Sequence, residues 1–422
     1  MNEGLDLHLV DEEVEHIGYI NTDEEINKKM IIYLNMCLKY IDEKKLKSCE
    51  EFISGLLPSL KDNPFEYIIF ITIKIYCNLR LHSYRFVSND LSSLGNLDAD
   101  NYQFEQFESK YKKKKGSMIP FLLRLINCYY PYTLNLYFTS FDRLYLLILH
   151  YENLLNECSI TIPPVTHGKN VNNCVVENGI TNNDIHTKNE VTDFTNLNKK
   201  QKVILKNIII TCYVLCDLLL KKNYIDQGIQ LLRNKILRYN PRHISTISLI
   251  GKLSLLMGAL EDAESSFSLV EKLLQIDIKS DDNYLEKLTD AHIHTNRAFL
   301  NMYLEDYPTA LNEILKIHFN IEEKVEEEKK KNSNVMENYY AVYSNNLAVS
   351  YFFNHDVKKS IHIMEKTLEN NYINSYPALV KNLNRVYEFT KTKAETVNQI
   401  YNFIRHNLNE DQEILAIIPR KG

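Results

Sequence analysis

Residues 296–317 read NRAFLNMYLEDYPTALNEILKI, two short apolar segments with helical spacing that are separated by a polar turn. Ala298 lies in the first segment, and Ala310 follows twelve residues later, early in the second. Two antiparallel helices can approach closely when each carries a small side chain at the point where they cross. The stretch therefore predicts a helical hairpin that closes on Ala298 and Ala310.

The same twelve-residue spacing between small residues recurs in three other places. The pairs are Cys216 and Gly228, Gly251 and Ala263, and Ala348 and Ser360. Cys216 and Gly251 are 35 residues apart, close to the 34-residue period of tetratricopeptide repeats. The next two intervals are 47 and 50 residues, which requires longer helices or inserted loops such as residues 321–334. We predict an all-α chain of tetratricopeptide-repeat-like helical hairpins stacked in a superhelical array, the alternative being an irregular helical bundle.

Composition divides the chain into five segments. Residues 1–23 form an acidic segment, and residues 24–157 predict N-terminal helical hairpins without clean small-residue pairs. Residues 158–200 are rich in asparagine and bury too little apolar surface to offset the entropy of ordering. We predict a disordered insert there, a tetratricopeptide-repeat domain over residues 201–410 and a C-terminal tail over residues 411–422.

Charge and cysteine content limit the classes of protein to which the chain can belong. The formal net charge is -6, which does not suit a protein that coats nucleic acid. The eight cysteines form no Cys-x-x-Cys pair, and we expect them to be reduced and buried in a cytoplasmic protein. Since no long uncharged apolar stretch and no signal peptide are evident, we expect peripheral association with a membrane at most.

The sequence offers no catalytic constellation. Phosphate-binding glycine loops, the zinc-protease motif and the nucleophile-elbow motif are all missing. His292 and His294 are two residues apart on a predicted helix, so they face different sides and do not readily share a metal. Cys212 and Cys216 share a helix face, but no second pair lies at zinc spacing, and core packing explains them. We therefore predict no enzymatic activity, no cofactor and no metal.

Two sets of residues are candidates for partner binding. Asn296 and Asn346 each lie two residues before the small residue of a first helix, where a repeat array can present polar side chains to an extended partner. Alternatively, they bond only to neighbouring backbone groups. The second set is Lys112, Lys113, Lys114 and Lys115, either a solvated loop or a docking patch for an acidic protein or lipid.

A helix start is predicted directly after the four lysines. Ser117 can accept a hydrogen bond from the first turn as an N-cap. Pro120 would then lie in that turn, where its missing N–H is not needed.

The surroundings of the lysines resemble a known family. The order GNLDADNY (95–102), basic residues, GSMIPFLLRL (116–125) and FDRLYLL (141–147) is similar to a segment of subunit 12 of the trafficking protein particle (TRAPP) complex. VKNLNRVYEFTKTKA (380–394) resembles the last helix of that family. The resemblance covers residues 80–157 and 200–395. Four lysines stand here in place of a shorter basic pair, and the asparagine-rich insert is longer.

This resemblance implies a non-catalytic scaffold subunit of a vesicle-tethering complex that acts between the endoplasmic reticulum and the Golgi. It also implies other TRAPP subunits as partners, and a Rab-type GTPase served indirectly. The expected location is cytoplasmic, peripheral at the endoplasmic reticulum–Golgi intermediate compartment or the Golgi. The alternative is a peptide-binding co-chaperone or import-receptor adaptor, although no ladder of Lys and Arg accompanies Asn296 and Asn346.

Overall fold

The computed structural model describes residues 24–112, 114–158, 197–277, 283–317, 333–370 and 372–418. Seventeen α-helices occupy most of these residues. The β-structure within them is an isolated antiparallel bridge between Gln103 and Ser117. The all-α prediction is confirmed. The acidic segment 1–23 and most of the asparagine-rich insert, residues 159–196, lie outside the described residues.

The helices pair into consecutive hairpins along the chain. The first three pairs are α1 (Glu24–Asp42) with α2 (Leu46–Leu56), α3 (Pro64–Arg80) with α4 (Tyr84–Leu94), and α5 (Phe121–Thr133) with α6 (Tyr137–Glu157). Next come α7 (Lys199–Lys221) with α8 (Ile225–Leu231), α9 (Ile244–Leu256) with α10 (Leu260–Asp277), and α11 (Asn283–Tyr303) with α12 (Tyr307–Leu315). The last are α13 (Ser333–Phe353) with α14 (Val357–Asn370), and α15 (Pro377–Thr390) with α16 (Ala394–Asn407), followed by the short α17 (Gln412–Leu415).

The chain folds into two compact units. The central unit comprises residues 141–317 and is continuous in sequence. Among the described residues, the terminal unit combines residues 24–140 with residues 333–418, so the first and last described hairpins belong to one body. Its C-terminal core includes Ile414 and Ile418, which lie in the segment that the sequence assigned to a C-terminal tail.

Every described hairpin turn contains one residue in the left-handed backbone region. These eight residues are Lys44, His82, Asn135, Asn223, Gly258, Glu305, His355 and Lys391, with φ between 50° and 78°. In the α3–α4 turn, Ser83 N donates to Asn78 O at 2.8 Å and His82 N donates to Leu79 O at 3.1 Å. The same two bonds recur at the other seven turns, and together they form the Schellman motif that ends a helix. The hairpins therefore share one turn geometry from the first to the last.

The predicted small residues hold fixed places relative to these turns. The first residue of each pair lies seven positions before the left-handed residue, and the second lies five positions after it. All eight of these residues are buried. A Cβ added to Gly228 would lie 3.2 Å from Cys216 Sγ, so this pair marks a close helix crossing. At Gly251 the space is filled by the Phe267 ring, 2.5 Å from an added Cβ.

Two N-terminal hairpins also carry small residues at these places, which the sequence analysis missed. Cys37 and Cys49 flank the Lys44 turn, and both are fully buried. Cys128 and Ser140 flank the Asn135 turn, where Ser140 Oγ donates to Cys128 O at 2.8 Å. The sequence signal for these two hairpins is a cysteine that is followed twelve residues later by another small residue, either cysteine or serine.

Candidate interaction surface

Residues 95–112 and 114–120 connect α4 to α5 and are held by backbone hydrogen bonds. Phe104 N donates to Gly116 O at 2.9 Å, and Met118 N donates to Tyr102 O at 2.8 Å. These bonds flank the Gln103–Ser117 bridge and close the segment between them into a loop with fixed ends.

The predicted N-cap at Ser117 is wrong. Helix α5 begins at Phe121 with Pro120 as the N-cap residue, and no side chain caps it. Ser117 Oγ instead accepts from Ile119 N at 3.2 Å and from Arg124 Nη2 at 3.3 Å. The extended bridge at Ser117 keeps it out of the helix, which explains why the expected cap does not form.

Tyr111 anchors the lysine segment to α3. Its fully buried side chain donates to Glu66 Oε2 at 2.5 Å and accepts from Phe65 N at 3.2 Å. The rings of Phe65, Phe104 and Tyr111 pack with centroid separations between 5.1 and 6.2 Å. Burial and the Glu66 carboxylate raise the pKa of Tyr111, so the phenol stays protonated and holds its bond to Glu66.

The lysines differ in their surroundings. Lys112 and Lys115 are exposed, whereas Lys114 is half-buried with its Nζ 6.0 Å from the centre of the Phe104 ring. Burial lowers the pKa of Lys114. Lys113 lies outside the described residues. The charges of Lys112 and Lys115 are therefore exposed to solvent, next to the buried Tyr111 that fixes the segment to α3.

The two candidate asparagines also differ. Asn296 is 1% exposed, and its Oδ1 accepts from Ser248 Oγ of α9 at 2.6 Å. That burial favours a role in packing α9 against α11 over direct contact with a partner. Asn346 is half-buried on α13, and its carbonyl accepts from Ser350 Oγ at 2.9 Å.

The side chains considered for metal or catalytic chemistry have other contacts. His294 Nδ1 lies 2.8 Å from Glu313 Oε2 of α12. Cys212 and Cys216 are buried in the core, as predicted, and burial raises the pKa of Cys216 to about 12. In the part of the chain that the structure describes, no group of three His, Cys, Asp or Glu side chains could hold a metal ion.

Among the helices of the described residues, one is long and apolar enough to cross a membrane by length and composition. It is α7, whose 18-residue window has a mean hydropathy of 2.1, and 61% of that window is buried within the structure. Helices of this kind also form the cores of globular proteins, and the buried side chains of α7 include Ile208, Leu215 and Leu218. We therefore interpret α7 as a core helix.

Repeated hairpins with one turn geometry and buried small residues at fixed places define a helical-repeat fold of the tetratricopeptide type. No protein-family model matches the chain, and no curated protein matches it. Among solved structures, the chain is similar to a tetratricopeptide repeat protein from Parabacteroides merdae, with 10% identity over 91% of this chain and 99% of that chain. The TM-score is 0.34. It is also similar to MamA protein, with 14% identity over 49% of this chain and 93% of that chain, at a TM-score of 0.25. TM-scores this low do not support a structural argument, so the assignment to the tetratricopeptide type of fold depends on the hairpin geometry.

Proposed function

We propose that this chain is a non-catalytic scaffold subunit of a TRAPP-type vesicle-tethering complex, acting in traffic between the endoplasmic reticulum and the Golgi. Its proposed partners are other subunits of that complex, with a Rab-type GTPase served indirectly. The proposed place of action is the cytoplasmic side of the intermediate compartment or the Golgi. A stack of hairpins suits this role because it offers long surfaces and needs no pocket.

The observation that carries the proposal is the pairing of two sequence elements that resemble the family, residues 95–102 and 116–125. Asp98 of the first element binds Arg124 of the second, with Asp98 Oδ1 2.6 Å from Arg124 Nη1. Arg124 also donates to Ser117 of its own element, as described above. Residues that are separated by the lysine segment therefore build one structural element, which supports reading them as a single family signature rather than two chance matches.

In residues 380–394, which resemble the last helix of the family, the characteristic residues also make defined contacts. Asn382 Nδ2 donates to Asn345 Oδ1 at 2.9 Å, and Leu383 is 1% exposed. Tyr387 is buried and donates to Glu365. This element joins α15 to α13 and α14, so its residue types have specific contacts that an unrelated helix would not need.

Within this function, we propose that Lys112 and Lys115 dock an acidic surface of a neighbouring subunit. The contacts of Tyr111 with Glu66 and Phe65 fix the backbone of this segment before binding, which limits the entropy cost of association. Opposite charge on a partner would speed the encounter and set its orientation.

The test is affinity purification of the tagged full-length chain from cells at low and high salt. Lys112→Glu/Lys115→Glu should lower the recovery of tethering subunits at low salt, and the difference from wild type should shrink as salt screens the charges. Lys366→Glu/Lys381→Glu, two exposed lysines on α14 and α15, is the matched control and should behave as wild type.

The controls separate two failures. Recovery of tethering subunits by wild type and both variants alike would refute the lysine docking site and leave the scaffold function standing. Recovery of chaperones without any tethering subunit would refute the scaffold function and favour the co-chaperone alternative.

A further inference from the structure

Four exposed apolar side chains lie on two neighbouring turns of the central unit. Leu256 and Met257 are 70% and 48% exposed at the end of α9, and Tyr303 and Leu304 are 43% and 50% exposed at the end of α11. The turns are in contact, because a Cβ added to Gly258 would lie 3.6 Å from Tyr303 Oη. We call these four side chains the turn patch.

The fold does not require apolar residues at these places. Two other turns carry charged residues one and two positions before the left-handed residue, namely Asp42 and Glu43, and Lys221 and Lys222. Three further turns carry one exposed apolar residue there, whereas the α9–α10 and α11–α12 turns carry two each. The core beneath the turn patch is already formed by Leu255, Ala263 and Phe267. Contiguous exposed apolar side chains of this kind mark surfaces that bind another molecule.

The rim of the turn patch is acidic. Glu261 and Asp262 are exposed in the first turn of α10, and Glu305 and Asp306 directly follow Leu304. Residues 253–271 and 298–315 contain no Lys or Arg and seven Asp or Glu residues, but Glu271 is paired with Arg297, and Glu313 is buried and paired with Lys316. The other five carboxylates are exposed, so the turn patch is an apolar surface with acidic residues at its rim.

From this combination, we propose that the turn patch binds a basic amphipathic helix of a partner protein. Apolar side chains at helical spacing would cover Leu256, Met257, Tyr303 and Leu304, as in other helix recognition sites. Lys and Arg on the flanks of the helix would face Glu261 and Glu305, and this charge complementarity selects the partner. Anionic membranes and nucleic acid carry the wrong charge for this rim.

The inference does not depend on the trafficking function, since it uses only the central unit and its charges. Its probe is a fluorescently labelled synthetic helix of leucine and lysine, with leucines at the i, i+3, i+4 and i+7 positions. A leucine and glutamate helix with the same pattern is the charge control. Binding to the full-length protein is followed by fluorescence anisotropy, and circular dichroism verifies that each variant is folded.

Leu256→Ser/Leu304→Ser should weaken binding of the lysine helix by about tenfold or more, as expected for central apolar contacts. Leu134→Ser/Phe138→Ser removes equally exposed apolar side chains from the α5–α6 turn and should leave binding unchanged. Glu261→Gln/Glu305→Gln should weaken binding at low salt and reduce its dependence on salt. The glutamate helix should not bind.

Three results would overturn the proposal. One is equal binding of the lysine helix to wild type and Leu256→Ser/Leu304→Ser. Another is binding of the glutamate helix as tight as that of the lysine helix. The third is evidence that the turn patch binds a membrane or a second copy of the chain instead. In that case the wild type would bind anionic lipid vesicles or self-associate in analytical ultracentrifugation, and Leu256→Ser/Leu304→Ser would abolish that binding.

Discussion

Lys44 Nζ lies 3.1 Å from Asp411 Oδ2, a carboxylate 367 residues further along the chain. Lys44 also donates to Ser375 O at 3.0 Å, and Asp411 Oδ1 accepts from Ile414 N at 3.1 Å as the N-cap of α17. One carboxylate thus caps the start of α17 and also binds the first hairpin turn of the terminal unit. This contact explains why the two ends of the chain belong to the same compact unit.

Lys44→Met should destabilise the protein by about 1–3 kcal/mol, because buried Asp411 Oδ2 and the Ser375 carbonyl both lose the hydrogen bond from Lys44. Chemical denaturation of the full-length protein is the measurement. Lys39→Met is the control, since Lys39 is exposed and its pair with Glu43 is 3.9 Å long. Such surface pairs contribute about 0–1 kcal/mol. Equal losses in the two variants would contradict the role of Lys44.

Gly251→Ala should also destabilise, by about 1–3 kcal/mol, since its Cβ would lie 2.5 Å from the Phe267 ring and force the α9–α10 crossing apart. Gly55→Ala in α2 makes the same chemical change where nothing lies within 4 Å. There the higher helix propensity of alanine should stabilise by about 0.5–1 kcal/mol. Thermal unfolding compares the two, and a Gly251→Ala midpoint at or above wild type would refute the close crossing.

Residues 160–196 should be replaceable by a short flexible linker without loss of folding. The described residues on either side of this segment are close, because Gln201 Nε2 donates to Cys158 O at 3.1 Å. Asn198 must be kept, as it forms a capping box with Gln201 at the start of α7. Circular dichroism and limited proteolysis decide, and an unfolded deletion variant would mean that the insert is structural.

Stability should fall as the pH is lowered below about 6.5. Burial lowers the pKa of His243, whose Nδ1 accepts from Thr246 N at 3.3 Å, and burial also lowers the pKa of His292. Between the depressed native pKa and the ordinary unfolded value, the unfolded chain binds more protons, so stability is fully present above the unfolded pKa and is lost below it. Urea unfolding across this range is the measurement.

A histidine variant isolates this effect. His243→Asn retains a side-chain acceptor for the N-cap but does not titrate, so its stability should decline less steeply with falling pH than that of wild type. An identical slope in both proteins would rule out His243 as a source of the pH dependence.

The sequence predicted the helical hairpins because small residues at a fixed spacing report a close helix crossing directly. It underestimated the N-terminal hairpins, since Cys37 and Cys49 do not read as small residues as readily as Gly251 does. The turns were harder to predict for another reason. Seven of the eight left-handed residues are not glycine, so a search for helix-ending glycines finds Gly258 and misses the other seven hairpin turns.

The candidate site was predicted less completely than the fold. The abundance of lysine at 112–115 was evident, but the burial of Tyr111 against Glu66 depends on residues 45 positions apart. The turn patch was missed because its four side chains come from separate hairpins, and only folding brings Gly258 beside Tyr303. For Asn296, the position in the repeat was evident from the sequence, but its hydrogen bond with Ser248 was not, because Ser248 lies in a different hairpin.

The division of the terminal unit between both ends of the chain has a consequence for synthesis on the ribosome. The central unit is continuous, and all of its residues have been made before the last hairpins are translated. Until residues 333–418 have been made, the surfaces of the first hairpins that meet Asp411 and Ser375 stay exposed. Chaperone contact with the nascent chain should therefore last longest at its oldest hairpins, the reverse of the order in which simple multidomain chains mature.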